Sequence, residues 1–368
     1  MSTRLLCCTA LVLLLIVLPK TAQAQTPITL GNDNYLAAGV IHNNYTAWNA
    51  VRDHVISGAG RVQHGGHGYY GQSPCEPIST CSPGCGCTRT KFRGAWGNYI
   101  GRDARYQSSF NNNEWKLTAD GIQVGMDLFQ TRRGQFGAFF GYEDTNGSNL
   151  GDRITANDHY FGLYGVHVLR DGSDLRTVFG VGWQDFTSQR QATDNTPYQM
   201  TFRGRTAEFN LDFGKRYYCG GQCGVWSIRP AAALDWSLSQ LCGGVETPAG
   251  ANAFQYHKTD LSKLFFRFGS DLRYERGRWA VESGLFYSYD LRGAGFWSFV
   301  SDMQQPIPAS DVLVSSQLGR SMLAFNVSSS IAVWNNFTVF GGYRGEAMLD
   351  QAGRGYESIG YVGGAWRW

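Results

Sequence analysis

From Lys91 to Trp368 the chain repeats one unit: about ten residues alternate apolar and polar, the chain turns on Gly, Asn or Asp, and the alternation resumes. Period two sends successive side chains to opposite faces of a strand. About twelve such strands, with no amphipathic helix between them, lack a partner layer that would cover their apolar face in water. A closed barrel with lipid outside resolves this, because it buries that face and leaves no open sheet edge.

The clearest strand runs from Leu264 to Glu275. One face carries Leu264, Phe266, Phe268, Leu272 and Tyr274, and the other Arg267, Gly269, Asp271, Arg273 and Glu275. In a sandwich the apolar face would line a core. Here the same division recurs along the chain: Ala207, Phe209, Leu211, Phe213 and Tyr217 oppose Glu208, Asn210, Asp212 and Arg216. Trp279, Val281, Leu285, Tyr287 and Tyr289 likewise oppose Glu282, Gly284, Ser288 and Asp290.

The connections alternate between two kinds. Tight turns are expected near 132–134, 170–173, 219–224, 275–278 and 335–336, and longer links near 102–114, 144–154, 187–198, 241–253, 292–311 and 350–356. Counting between them predicts strands near 92–101, 115–131, 134–144, 155–170, 174–187, 199–218, 225–240, 254–275, 278–291, 312–334, 336–349 and 356–368. The total is even, as in single-chain bacterial barrels, whose short turns face the periplasm and long loops the outside. The fold class is therefore all-β, a twelve-stranded antiparallel transmembrane barrel over residues 91–368. Aromatics near strand ends, such as Trp279, Tyr274 and Trp366, suit interfacial girdles. The candidate lumen lining is Asp127, Glu208, Asp212, Arg216, Arg229, Asp235, Arg267, Asp271, Arg273, Glu282, Asp290, Arg344 and Glu346. Such inward polar residues either select permeants, hold a plug, or simply satisfy one another and water.

Residues 1–24 read as a cleaved secretory signal. Arg4 starts it, Leu11 to Leu18 form its apolar centre, and Ala22-Gln23-Ala24 supplies the small-residue cleavage pattern. Within residues 25–90, a segment of about 32–57 places Leu36, Val40, Trp48, Val51 and Val55 at helical spacing. This predicts one helix of about 24 residues, about 36 Å long at ~1.5 Å per residue. Residues 58–90 are rich in Gly, Pro and Cys and read as a loop or a small disulfide knot.

Composition narrows the function. Charged residues make up 17% and the formal net charge is +3, with no basic run interleaved with aromatics, so no nucleic-acid partner is expected. Of nine cysteines, Cys7 and Cys8 fall in the signal, which leaves Cys75, Cys81, Cys85, Cys87, Cys219, Cys223 and Cys242. In an exported chain these read first as disulfides, with Cys75, Cys81, Cys85, Cys87, Cys219 and Cys223 as the candidates. His64 and His67 upstream keep a metal reading open, although zinc sites usually show tighter pairs. No cofactor, metal or small-molecule substrate is expected. Asp158-His159 and His257 with Asp260 stand near outer strand ends without a serine elbow, so no enzyme is expected.

Several segments carry a family resemblance. Trp96-Gly97 opens the first strand, and Gly121-Ile122-Gln123-Val124-Gly125-Met126-Asp127 forms a glycine-punctuated second. Phe136-Gly137-Ala138-Phe139-Phe140-Gly141-Tyr142 follows in the third, and Tyr361-Val362-Gly363-Gly364-Ala365-Trp366-Arg367-Trp368 closes the last. In order and spacing these resemble the translocator domain of autotransporters (type V secretion). The resemblance implies a twelve-stranded outer-membrane barrel, an N-terminal passenger, here as short as residues 25–90, and a helix through the pore before the first strand. It also implies that Val362, Trp366 and Trp368 resemble the signal read by the barrel-assembly machinery, so the expected partners are that machinery and outer-membrane lipid. The expected function is to anchor, display or translocate the N-terminal segment. The alternative is a passive pore or structural outer-membrane protein.

Overall fold

The computed structural model describes residues 94–108, 114–130, 134–149, 152–191, 195–221, 224–249, 253–256, 258–292, 297–302, 312–314, 320–334, 336–349 and 353–368. The signal at 1–24, the helix at 32–57 and the loop at 58–90 lie outside the described residues, as do Cys75, Cys81, Cys85 and Cys87.

Twelve strands form the wall: β1 (Gly94–Ser108), β2 (Glu114–Gln130), β3 (Gly134–Asn149), β4 (Asp152–Val168), β5 (Ser173–Gln191), β6 (Pro197–Lys215, continued by Tyr217–Gly221), β7 (Gly224–Leu241), β8 (Thr259–Arg276), β9 (Trp279–Asp290), β10 (Ser321–Ala332), β11 (Phe337–Met348) and β12 (Gly353–Arg367). Each strand pairs antiparallel with its neighbour in the chain. The sheet closes through β1 and β12, in register from Gly94 opposite Arg367 to Ser108 opposite Gly353. Closure removes the unpaired edge that an open sheet would expose to lipid.

Alternation decides the faces. Along β4, buried and more exposed positions alternate through most of the strand. Ile122, Val124, Met126, Phe161, Phe179, Leu234, Leu285 and Phe325 point outward and are exposed, while Arg229, Asp271 and Gln123 point inward and are buried. An apolar exterior over a polar interior reverses the arrangement of a water-soluble sandwich and fits a lipid-facing wall.

Aromatics mark the end of the barrel that carries the short turns and the start of β1. Trp226 packs on Tyr274 at 4.6 Å between ring centroids, and Tyr274 meets Trp279 at 6.2 Å. Trp334, Phe337 and Trp366 form a second run, at 5.5 and 5.9 Å. At the opposite rim the Tyr99 hydroxyl donates to Asp120 at 2.6 Å, and Tyr142 stacks beside His159 at 5.0 Å.

The structure corrects the strand limits at the loop end. β1, β3 and β5 run on to Ser108, Asn149 and Gln191, beyond the expected ends at 101, 144 and 187. An antiparallel ladder continues as long as backbone groups find partners, even where the outward residues have become polar. The link expected at 144–154 therefore contracts to a tight connection, with Asn149 opposite Asp152. Two expected strands also start later, β8 at Thr259 and β10 at Ser321. Phe254–Tyr256 and Val312–Val314 instead join Gly244–Val245 and Trp297–Asp302 in a small separate sheet. Alternation marks a strand but not the sheet it joins.

Candidate functional site

The lumen is the only enclosed polar surface among the described residues, and it has two unlike walls. On β5 to β9, period-two placement lines up acids and arginines from strands that are not sequence neighbours. Arg229 donates from Nε to both Asp174 oxygens at 3.1 Å and from Nη2 to Oδ1 at 2.6 Å. It also pairs with Asp212 and lies 3.6 Å from Asp271. Arg267 donates to Asp212 at 3.0 Å, lies 3.5 Å from Asp235, and covers the Phe286 ring at 4.7 Å. Asp235 accepts from Asn210. Arg176 donates to Asp174 at 2.7 Å.

Nearer the turn end, Glu282 accepts from Arg216 at 3.4 Å and from Arg273 at 3.3 Å, and Arg273 also pairs with Glu275. Further along the wall Arg344 donates from Nε to Glu346 at 2.7 Å. These groups are withdrawn from bulk water, where a single unpaired charge costs several kcal/mol (about 3–5 when one partner is removed), so each sign is matched within the wall. The network sets charge against charge across five strands, while both Asp271 oxygens and the two Arg176 Nη groups are buried without a hydrogen bond.

The wall of β1 to β4 is aromatic. The Trp96 indole donates to the Tyr164 hydroxyl at 3.1 Å, which donates in turn to Asp127 at 2.6 Å. Gln123 donates to the Tyr160 hydroxyl at 2.7 Å, and that hydroxyl donates to Glu143 at 2.9 Å. Arg102 bridges Glu143 at 3.1 Å and Glu357 at 3.4 Å. Phe139 sits between the two tyrosine rings, 6.5 Å from each, and Val166, Val178, Phe340 and Ala365 extend the patch. The rings lie flat because glycines receive them: a Cβ on Gly125, Gly137 or Gly141 would overlap Trp96, Tyr164 or Tyr160 respectively.

The structure places the thirteen expected lumen residues on the inward face. Twelve are buried, while Asp127 is half-buried beside an irregularity between Asp127 and Phe129. Residues missed from sequence are Arg102, Gln123, Glu143, Asp158, Asp174, Arg176 and Glu357, all buried and inward. Parity counted from Phe139 and Gly141 through Glu143, or from Val178 back to Asp174, was the signal for them. Arg102 escaped because the strand was ended one residue early.

Val362 and Trp366 share the outward face of β12, and Trp368 beyond them is also exposed. Asp158 faces the lumen and His159 the exterior, so this adjacent pair does not converge. Cys219, one of the candidate disulfide cysteines, is a free thiol whose cross-strand partner is Trp226. Cys223 lies outside the described residues. Cys242 is also a free thiol.

No curated protein matches the chain. Among solved structures it is similar to the translocator domain of the autotransporter NalP from Neisseria meningitidis, with a TM-score of 0.61 and 13% identity over 76% of this chain and 89% of that one. It is also similar to the transport unit of the autotransporter AIDA-I from Escherichia coli, with a TM-score of 0.53 and 13% identity over 79% and 92% of the two chains. At that identity the likeness speaks for the fold. The family model described as Autotransporter beta-domain matches residues 95–344, so a closed twelve-stranded wall and a sequence match over most of its length agree that the chain belongs to the autotransporter beta-domain family.

Proposed function

We infer that this outer-membrane barrel anchors its N-terminal segment and passes it through the lumen for display at the cell surface. The observation that supports this is the position of Gly94. β1 starts at the end of the barrel that bears the short turns, which in such barrels faces the periplasm. A segment joined there reaches the surface through the lumen. The amphipathic segment at 32–57, about 36 Å long as a helix, would be long enough to cross the ~25 Å apolar band of such barrels. Its apolar stripe (Leu36, Val40, Trp48, Val51, Val55) suits the aromatic β1–β4 side. Its polar stripe suits the charged β5–β9 side.

No catalysis enters this reading: folding and membrane closure drive passage. The outward face of Val362, Trp366 and Trp368 serves the assembly machinery, whose sheet edge β12 would extend before it closes on β1. Protease treatment of intact cells, compared with cells carrying a chain truncated before residue 91, tests display. A segment that stays shielded from protease in intact cells overturns it.

The charged lumen favours one second reading, a passive pore. A large, steady single-channel conductance from the full-length protein in planar bilayers supports an open pore and excludes a stable plug.

A further inference from the structure

We propose that the outward face of β6 carries a contact for the phosphate groups of an outer-leaflet glycolipid of the lipid A type, made by Arg203 and Arg205. Below them the outward residues of β6 are Ala207, Phe209, Leu211 and Phe213, and Lys215, 3.7 Å from Asp171 of the turn, ends the apolar run. Lys215 and Arg205 bound this run and stand about 25 Å apart at roughly 2.5 Å per tilted residue, the height of an apolar band. Arg205 therefore stands at the edge of the hydrocarbon and Arg203 about 5 Å beyond it, at headgroup depth on the loop end. Their neighbours agree: Trp183, stacked on Phe161 at 5.6 Å, lies opposite Arg205 and marks the same rim.

Both guanidinium groups are available. Arg205 is exposed and has no acidic partner among the described residues. Arg203 lies 3.4 Å from Asp185, but the two side chains are 83% and 69% exposed, and a pair that open is worth little and yields to a stronger anion. A planar guanidinium binds phosphate through two parallel hydrogen bonds, whereas the approach of Arg203 to Asp185 is a long 3.4 Å contact in the open. Elsewhere the rim carries acids, with Asp103, Asp120 and Asp144 outward on β1 to β3 and Asp260 on β8, and two further cations stand singly, Arg153 at the far end of β4 and Arg292 bonded to Ser262. Arg105 and Lys116 face each other across β1 and β2 well beyond Tyr99, too far from the apolar band to serve the same headgroup. The charge pattern thus selects one side of the barrel for the phosphorylated lipid.

The inference rests on the assignment of the loop end to the outside, but its test does not require display. The full-length protein in detergent, its fold checked by heat-modifiable gel migration, is titrated with bis-phosphorylated lipid A, dephosphorylated lipid A and phosphatidylglycerol, and binding is read by native mass spectrometry. R203A/R205A should bind bis-phosphorylated lipid A about 25-fold more weakly, about fivefold per arginine. R203K/R205K should lose several-fold, and R105A/K116A should bind like the wild type. Wild-type binding by R203A/R205A, or equal binding of dephosphorylated lipid A, overturns the proposal. So does phosphatidylglycerol binding that matches lipid A and disappears in the same variant, because the contact would then be for any anionic lipid. Failure of display would appear only in the protease experiment.

Discussion

Arg229 on β7 reaches over β6 to grip Asp174 on β5, donating from Nε and Nη2 at 3.1 and 2.6 Å. The contact ties strands that are not hydrogen-bonded to each other and makes the charged wall one unit. Arg229→Met leaves Asp174, Asp212 and Asp271 buried without their shared cation and should cost about 3–5 kcal/mol. Urea unfolding of the refolded barrel measures it. A loss under about 1 kcal/mol would mean that the lumen is wet enough to screen the cluster.

Gly141→Ala sets a methyl group into the ring of Tyr160 and should destabilise the barrel by about 1–3 kcal/mol. In a Tyr160→Ala background the same substitution should cost far less, because the clash has gone. Additive losses in the double-mutant cycle would show that the glycine serves the backbone rather than the ring.

Cys219 lies exposed on the Tyr217–Gly221 continuation of β6, next to the turn into β7. In a variant that keeps Cys219 as its single cysteine, a maleimide should label the detergent-solubilised barrel without prior reduction. A membrane-impermeant maleimide should leave intact cells unlabelled. Labelling on intact cells reverses the orientation.

Trp366→Ala with Trp368→Ala should lower the amount of barrel inserted in cells while leaving refolding into detergent micelles nearly intact. Equal losses in both settings would reduce the two residues to girdle aromatics.

Much of the lumen was legible because parity is local. Once Arg267 is inward, Asp271 and Arg273 follow. Arg102 lies one residue past its expected strand, and Glu143 and Asp174 sit at the ends of theirs, where parity has little flanking sequence to carry it.

By itself the sequence determined that the chain is all strand after residue 91, which face of each strand is apolar, and an even count near twelve. Side-chain alternation needs no more than neighbours two residues apart. Only the tertiary structure decided that β12 closes on β1, that Phe254–Tyr256 and Val312–Val314 leave the wall, and that Arg229 serves acids from β5, β6 and β8. Those outcomes depend on register summed around a closed sheet, a quantity that no single strand carries.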